Sequence, residues 1–437
     1  MSDQLKFILL FLALFAFRTL FGLCHAFFSP DELQTYLIGL KWYCEGGWPY
    51  FGPDLIVTET GFYSQIPGPL EALLIGGPLH LLPIPEAPFL FLNLLTTGIL
   101  AVWAWYLSER LPQVPSWFLF VWIALLPWNL QESANPINPS YLLIGSGLFF
   151  LGFLEAFPAL SMGLFPSWLS FALMGFGIFW DMQFHQSWVL LPPFLLVAWV
   201  ARFLKKKKGL GGDLAASAAG ALPCVLLLVP TYLKFGWGQG TSGFHLASAF
   251  NLTNFLSFFT VLARFLSMPS QETLRFLLEP GAVHHLDFFK TSPWLWPFGL
   301  FLILMGWLQP LSLLVLSWLH RDKDTRTRTM IGTTLFALLL FWASFWFTSK
   351  DPMAHILYIL MPLLMAFSLT LWAGLARRKW WRVLAVACLG VNILFQAGWM
   401  VHMGKTQSLY VDREKVVKAI GTKDYHLLGE RRPGSHN

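Results

Sequence analysis

Residues 5–55 read LKFILLFLALFAFRTLFGLCHAFFSPDELQTYLIGLKWYCEGGWPYFGPDL. The block 5–28 is apolar almost throughout, with Arg18 the one cation deep inside it. A helix needs ~20 apolar residues to cross the hydrocarbon core of a bilayer, and this block supplies them. The residues beyond it are different in kind: two adjacent acids, Asp31 and Glu32, an amphipathic segment, a Gly46-Gly47 break and an aromatic–proline turn. No small-residue cleavage site comes after the apolar block, so it reads as an uncleaved first span and not a signal peptide.

The same contrast recurs along the chain. Hydrophobic residues make up 56% of it and charged residues 12%, about half the charge of an ordinary soluble domain, which carries ~25%. Mean hydropathy is +0.58. The 22 Trp and 42 Phe suit a chain with many water–lipid boundaries, where aromatic rings are favoured. Apolar blocks fall at about 5–28, 88–107, 115–130, 140–157, 167–184, 186–204, 213–233, 293–319, 329–347, 355–375 and 381–401. The expected fold is therefore an all-α polytopic integral membrane protein of about eleven transmembrane helices. The net charge of +6 sits in short clusters between blocks, which is a topological signal and excludes nucleic acid as a partner. Cys24, Cys44, Cys224 and Cys388 have no paired spacing, so neither a disulfide framework nor a metal knuckle is expected. Nothing in the chain implies a cofactor.

Basic clusters fix the orientation, because short cytoplasmic loops concentrate Lys and Arg. With the N-terminus inside, the blocks above place Lys205–Lys208, the run HRDKDTRTR at 320–328, Arg377–Lys379 and Arg110 all in the cytoplasm. The segment 69–84 is short and holds Pro69, Pro78 and Pro83; counting it as a span would invert the parity, so it reads as an interfacial helix. The outward segments are then 29–87, 131–139, the turn near 181–186, 234–292, the turn 348–354 and a short polar tail, 402–437. Residues 1–401 form the membrane domain. Two of the outward loops are long, and long ordered loops tend to carry function. Within the second, the apolar stretch 250–268 carries Arg264 and reads as another interfacial helix.

Chemistry-bearing residues gather on that face. Two carboxylates at a membrane exit are costly unless water, a cation or a substrate meets them. Ser29-Pro30-Asp31-Glu32 also reads well as a helix start, with Ser29 as N-cap and acids in the first turn, and that reading stays open. Arg18 lies ~15 Å inside the first span at ~1.5 Å per residue and either snorkels or serves a site. Gln183 and His185, with Asp181 nearby, either bridge spans or face a substrate. Lys350 either flanks a span or binds an anion. His284 and His285 are adjacent and point apart, which argues against a metal pair, and Asn251-Leu252-Thr253 matches a glycosylation acceptor pattern.

The order of parts resembles the GT-C glycosyltransferases, in the bacterial protein O-mannosyltransferase and aminoarabinose-transferase branch. The resemblance is carried by Asp31-Glu32 after the first span, the turn CEGGWPYFGPDL, the segment TGFYSQIPGPLEALLIGGPLH, WDMQFH at 180–185, and SKDPMAHILY at 349–358 ahead of Met361-Pro362. It covers the order of parts over about residues 1–375. It implies Asp31 as the catalytic carboxylate and Glu32 as support on the acceptor side. Beside them, the expected substrate-binding set is Arg18, Glu59, Tyr63, Asp181, Gln183, His185, Lys350, His355 and Tyr358. The donor would be a polyprenyl-phosphate-linked sugar and the acceptor a lipid, glycan or protein, handled on the outer face of a bacterial inner membrane. A leaving phosphate needs cationic donors and an acceptor hydroxyl needs a base; Lys350 and His355 suit the first need and Asp31 the second. One departure stands out: relatives often carry an acid before the fourth span, where this chain has Asn135-Pro136-Ile137-Asn138-Pro139, which leaves Asp181 or Glu59 as the second acid. The rival reading is a transporter or flippase of an amphipathic lipid-linked substrate. It predicts internal repeats, none of which is visible, and gives the first outer loop no purpose.

Overall fold

The computed structural model describes residues 3–25, 30–57, 63–206, 209–236, 249–272, 289–290, 292–348, 350–406 and 409–428. The apolar blocks are helices, because a backbone away from water must satisfy its own N–H and C=O groups. The first half contains α1 (Asp3–His25), α2 (Pro30–Glu45), α3 (Leu70–Leu81), α4 (Ala87–Arg110), α5 (Ser116–Ala124), α6 (Pro127–Ala134), α7 (Leu142–Ala156), α8 (Ser167–Asp181), α9 (Pro192–Lys206) and α10 (Leu210–Phe235). The second half contains α11 (Leu252–Leu256), α12 (Phe258–Ser267), α13 (Trp296–His320), α14 (Thr325–Ser344), α15 (Ala354–Leu357), α16 (Met361–Ala373), α17 (Lys379–Thr406) and α18 (Leu409–Thr422).

Among the described residues, eight helical stretches are long and apolar enough to cross a membrane, and all eight coincide with expected spans. The other three expected blocks are a helix broken in two (α5 and α6), the 15-residue α8, and α14, whose first turn carries Arg326 and Arg328. α3 is only 12 residues long, ~18 Å at ~1.5 Å per residue, too short to cross. The all-α expectation needs one amendment. The aromatic–proline turn of the first outer loop forms an antiparallel ribbon, β1 (Phe51–Val57) with β2 (Tyr63–Pro67), register Val57 to Tyr63 and Phe51 to Pro67.

The break between α5 and α6 shows how the bundle tolerates irregular backbone. Pro127 has no N–H to donate, and Leu126 is extended (φ −55°, ψ 133°), so carbonyls at the end of α5 lose their helical partners. Side chains replace them. Arg18 donates to the Ala124 carbonyl (2.6 Å), Asn129 to that of Ile123 (2.7 Å), and Asn392 and Gln396 to that of Leu125 (both 3.1 Å). Helices pack closely where small residues meet: a Cβ on Gly175 of α8 would overlap the Ser217 carbonyl of α10.

Two outward segments differ from expectation. The stretch 250–268 is two helices broken at Ser257, not one, and the chain beyond it leaves the interface. Ser270 and Gln271 are buried in the bundle, where Gln271 donates to the Trp122 carbonyl (3.1 Å), receives a bond from Asn392, and gives its backbone N–H to Gln309 Oε1 (2.8 Å). Polar backbone can enter because three elements, α5, α13 and α17, offer it partners. The polar tail, read from sequence only as a short polar segment, docks back on the first outer loop. Val416, Ala419 and Ile420 of α18 pack with Tyr36 and Leu40 of α2 and with Ile75 and Leu79 of α3, and Arg413 pairs with Glu86 at 2.6 Å. The first outer loop and the tail therefore lie at one end of the bundle. Arg110, Arg326 and Arg377–Lys379 terminate helices at the other.

Candidate active site

At the end that carries the first outer loop, two turns meet. One links α8 to the 3₁₀ turn at 186–190; the other links α14 to α15. His185 on the first stands edge-on to His355 on the second, ring centroids 5.9 Å apart. Lys350 lies close enough for its charge to act on His185. His185 is half-buried, while Lys350 and His355 are exposed. His185 caps its turn: Nδ1 accepts from the Ser187 backbone N–H (3.1 Å), with the Ser187 hydroxyl at 2.9 Å. An amide can only donate, so Nδ1 carries no proton, and the neutral ring presents Nε2–H. Burial first, then His355 and Lys350, hold His185 well below its usual range.

The Lys350 turn is pinned from the second outer loop. Asn254 of α11 donates from Nδ2 to the carbonyls of Lys350 (2.8 Å) and Phe345 (3.0 Å). Asn251 caps α11 through Oδ1, which accepts from Asn254 N–H (3.1 Å), and its own Nδ2 reaches the Thr348 carbonyl (2.9 Å). Arg264 of α12 donates to the Pro352 carbonyl at 2.6 Å. The sequence reading did not find these three anchors. An Asn ahead of an apolar run was the visible signal.

Asp181 and Gln183 sit beneath this surface, both fully buried. Asp181 packs against Gly145 of α7, where a Cβ would overlap Oδ1. Gln183 donates to the Cys224 carbonyl of α10 (3.1 Å), and its Oε1 packs on Gly68, at the strained φ of +120° between the ribbon and α3. The ribbon is seated on α10 through the Thr231 hydroxyl, which donates to the Tyr50 carbonyl (2.8 Å), and through Phe235 against Tyr50 and Phe51. Asp31 and Glu32 occupy the first turn of α2, and their side chains lie outside the described residues. So do Glu59, the Tyr63 side chain, and His284 with His285.

Arg18 and Tyr358 form part of a second, deeper cluster. Arg18 is 1% exposed. Its guanidinium donates to Asn93 (3.2 Å), Thr97 (3.1 Å), Thr96 (3.1 Å) and Ser133 (2.6 Å) as well as to Ala124. Those contacts hold α1 to α4 and to the α5–α6 break. Tyr358 is buried one turn below His355 and donates to Asn129 Oδ1 (3.3 Å). Glu132, three residues before Asn135, is buried in α6. Glu71 in the first turn of α3 is also buried; desolvation raises its pKa well above the carboxylate range, partly offset by the Thr35 hydroxyl. Sequence reasoning missed both acids. Each stood at the end of an apolar block, which is the signal that singled out Asp181. Among the described residues, no group of three or more His, Cys, Asp or Glu is placed to hold a metal.

No family model matches the chain, and no curated protein matches it in sequence. Among solved structures it is similar to the crystal structure of ArnT from Cupriavidus metallidurans bound to undecaprenyl phosphate. The TM-score is 0.52 and the identity 11%, over 98% of this chain and 78% of that one. The apo structure of the same protein aligns over the same shares at TM-score 0.48 and 12% identity. The likeness is one of fold and runs almost the length of the chain: this is a multi-pass membrane protein that shares the fold of ArnT.

Proposed function

We propose, from a fold shared with ArnT as premise, that this protein moves a sugar from a polyprenyl-phosphate carrier to an acceptor on the outer face of a bacterial inner membrane. Fold alone does not assign chemistry. The observation that carries the reading is the meeting of His185, His355 and Lys350 at the end of the bundle where α2 begins. A lipid carrier keeps its tail in the bilayer and offers phosphate and sugar at the surface, which is where this cluster lies.

The roles divide by charge. Lys350 supplies a cation and His185 a neutral N–H, both suited to phosphate oxygens that gain charge as the sugar leaves. His185 is a poor base here, because its acceptor nitrogen is already taken by Ser187. A carboxylate has to accept the proton of the acceptor hydroxyl, and Asp31, at the head of α2, is assigned to it, with Glu32 orienting the acceptor. The sugar bond to phosphate breaks, the bond to the acceptor oxygen forms, and the proton passes to Asp31. ArnT is described with undecaprenyl phosphate bound, which supports a carrier of that class for this chain.

The test is transfer by purified protein from radiolabelled polyprenyl-phosphate sugars, with Asp31→Asn beside wild type. A general base contributes ~10²–10⁴-fold, so turnover should fall by that factor while the protein stays folded. The helix-cap alternative predicts a change of at most ~1 kcal/mol in stability and full activity. A folded Asp31→Asn protein with the wild-type rate removes Asp31 from catalysis. Absence of transfer from every donor sinks the transferase reading.

A further inference from the structure

At the opposite, basic end of the bundle, α5, α13, α16 and α17 enclose a cavity of about 390 Å³, within the ~300–1,000 Å³ range of ligand pockets. Its walls are aromatic: Trp117, Phe118, Trp122, Trp372 and Trp381. Most of the polar atoms that reach it are engaged within the protein. The Trp372 indole donates to Ser312 (2.8 Å), and Gln309 donates to Cys388 Sγ (3.3 Å) while its Oε1 accepts from Gln271 N–H. Gln271 also closes the side facing the bundle centre through the Trp122 carbonyl. Gln113 at the rim reaches the Ala373 carbonyl (3.5 Å), so away from the edge little remains to hold a hydrophilic ligand, and apolar cavities stay dry. Hydrocarbon is the occupant that fits. The polar feature at the edge is cationic. Arg382 lines the cavity, and one turn earlier Arg378 and Lys379 line an adjoining groove with Trp380 and Val383.

An apolar hole with three positive charges at its mouth matches an anionic amphiphile, since basic pockets between spans bind acidic headgroups. We propose that the cavity holds an acyl chain of an anionic diacyl phospholipid from the leaflet at this end, with its phosphate at Arg378, Lys379 and Arg382. The site is separate from the one assigned to the donor. Trp372 and His355 are separated by most of a span, ~25 Å at ~1.5 Å per residue. The inference rests on the membrane fold and not on the transferase reading.

Protein reconstituted in vesicles of equal parts phosphatidylglycerol and phosphatidylcholine, then re-extracted in mild detergent, can be weighed with its retained lipid by native mass spectrometry. Wild type should keep phosphatidylglycerol in preference to phosphatidylcholine. Arg382→Gln and Arg378→Gln should each lower that preference, by about five-fold per charge; both lie at the rim of the bundle and not in its core, so folding is not at stake. Ala385→Trp fills the cavity with the charges intact and should remove the lipid. Equal retention of phosphatidylcholine by wild type overturns the proposal, as does unchanged retention in the arginine variants. Displacement of the phospholipid by added undecaprenyl phosphate also overturns it, because the cavity then belongs to the carrier's tail. Sugar transfer is not read in any arm.

Discussion

His185 holds Nδ1 as an acceptor for the Ser187 amide, so protonating that nitrogen breaks a cap as well as placing charge beside Lys350 and His355. Its folded pKa therefore lies below the unfolded value of ~6.5. The unfolded chain binds the extra proton between the two values, so His185 contributes stability fully above pH ~6.5 and loses it as pH falls below. His185→Asn keeps an N-cap oxygen and removes the titration. Its thermal stability should fall less steeply than wild type between pH 6.5 and ~5, read by melting at a series of pH values. For Lys350→Ala and His355→Ala, the loss of a hydrogen bond to a charged phosphate, ~1.5–3 kcal/mol, should weaken donor binding roughly ten- to hundred-fold with acceptor binding unchanged. Unchanged donor affinity in both removes them from the site. Arg18→Ala should act differently. It leaves buried acceptors on α4, α5 and α6 without their donor, at ~1–3 kcal/mol each, so the melting temperature should drop and retained activity should scale with the folded fraction.

At the scale of elements, the Lys350 turn owes its position to helices nearly a hundred residues upstream. Asn254→Ala strips donors from the carbonyls of Phe345 and Lys350 without touching any group assigned to substrate. Backbone amides of Lys350, Asp351 and Met353 should exchange faster with deuterium, and donor affinity should fall by several-fold at unchanged kcat. A variant with native exchange and native affinity shows that the turn holds itself. The same logic explains the limits of reading such elements from sequence. Pro127 marked a break, but only the fold shows that Arg18, Asn129, Asn392 and Gln396 satisfy the freed carbonyls. Ser270 and Gln271 fell outside every apolar block of the sequence, and their burial depends on partners from α5, α13 and α17.

Over the whole molecule, block length and basic clusters were enough to read the bundle. They exclude α3 as a span, and they place the loop 29–87 and the tail at one end, where the structure brings them together. Reporters fused at residue 54 and at the C-terminus should give the same, external signal, and one within 205–208 the opposite. A cytoplasmic C-terminal signal sinks the parity. The site was legible in pieces. His185, Lys350 and His355 each stood at an outward end of a span, but separations of more than 160 residues hide their meeting from any local pattern. Glu71 and Glu132 were hidden for the converse reason, since nothing local says that an acid beside an apolar block is buried. The docking of α18 was hidden because its apolar positions are few and have meaning only against the face of α2 and α3.

That docking has a consequence in time. Arg413 and Glu86 are 327 residues apart, a separation of roughly 16–65 s at the ~5–20 residues per second of synthesis. Through that interval Tyr36, Leu40, Ile75 and Leu79 have no cover from α18, and every intervening helix must be placed before the cover arrives. The first loop to leave the membrane is thus among the last parts of the protein to finish folding, and whatever attends the nascent chain on that side must shield it for about a quarter of a minute to a minute.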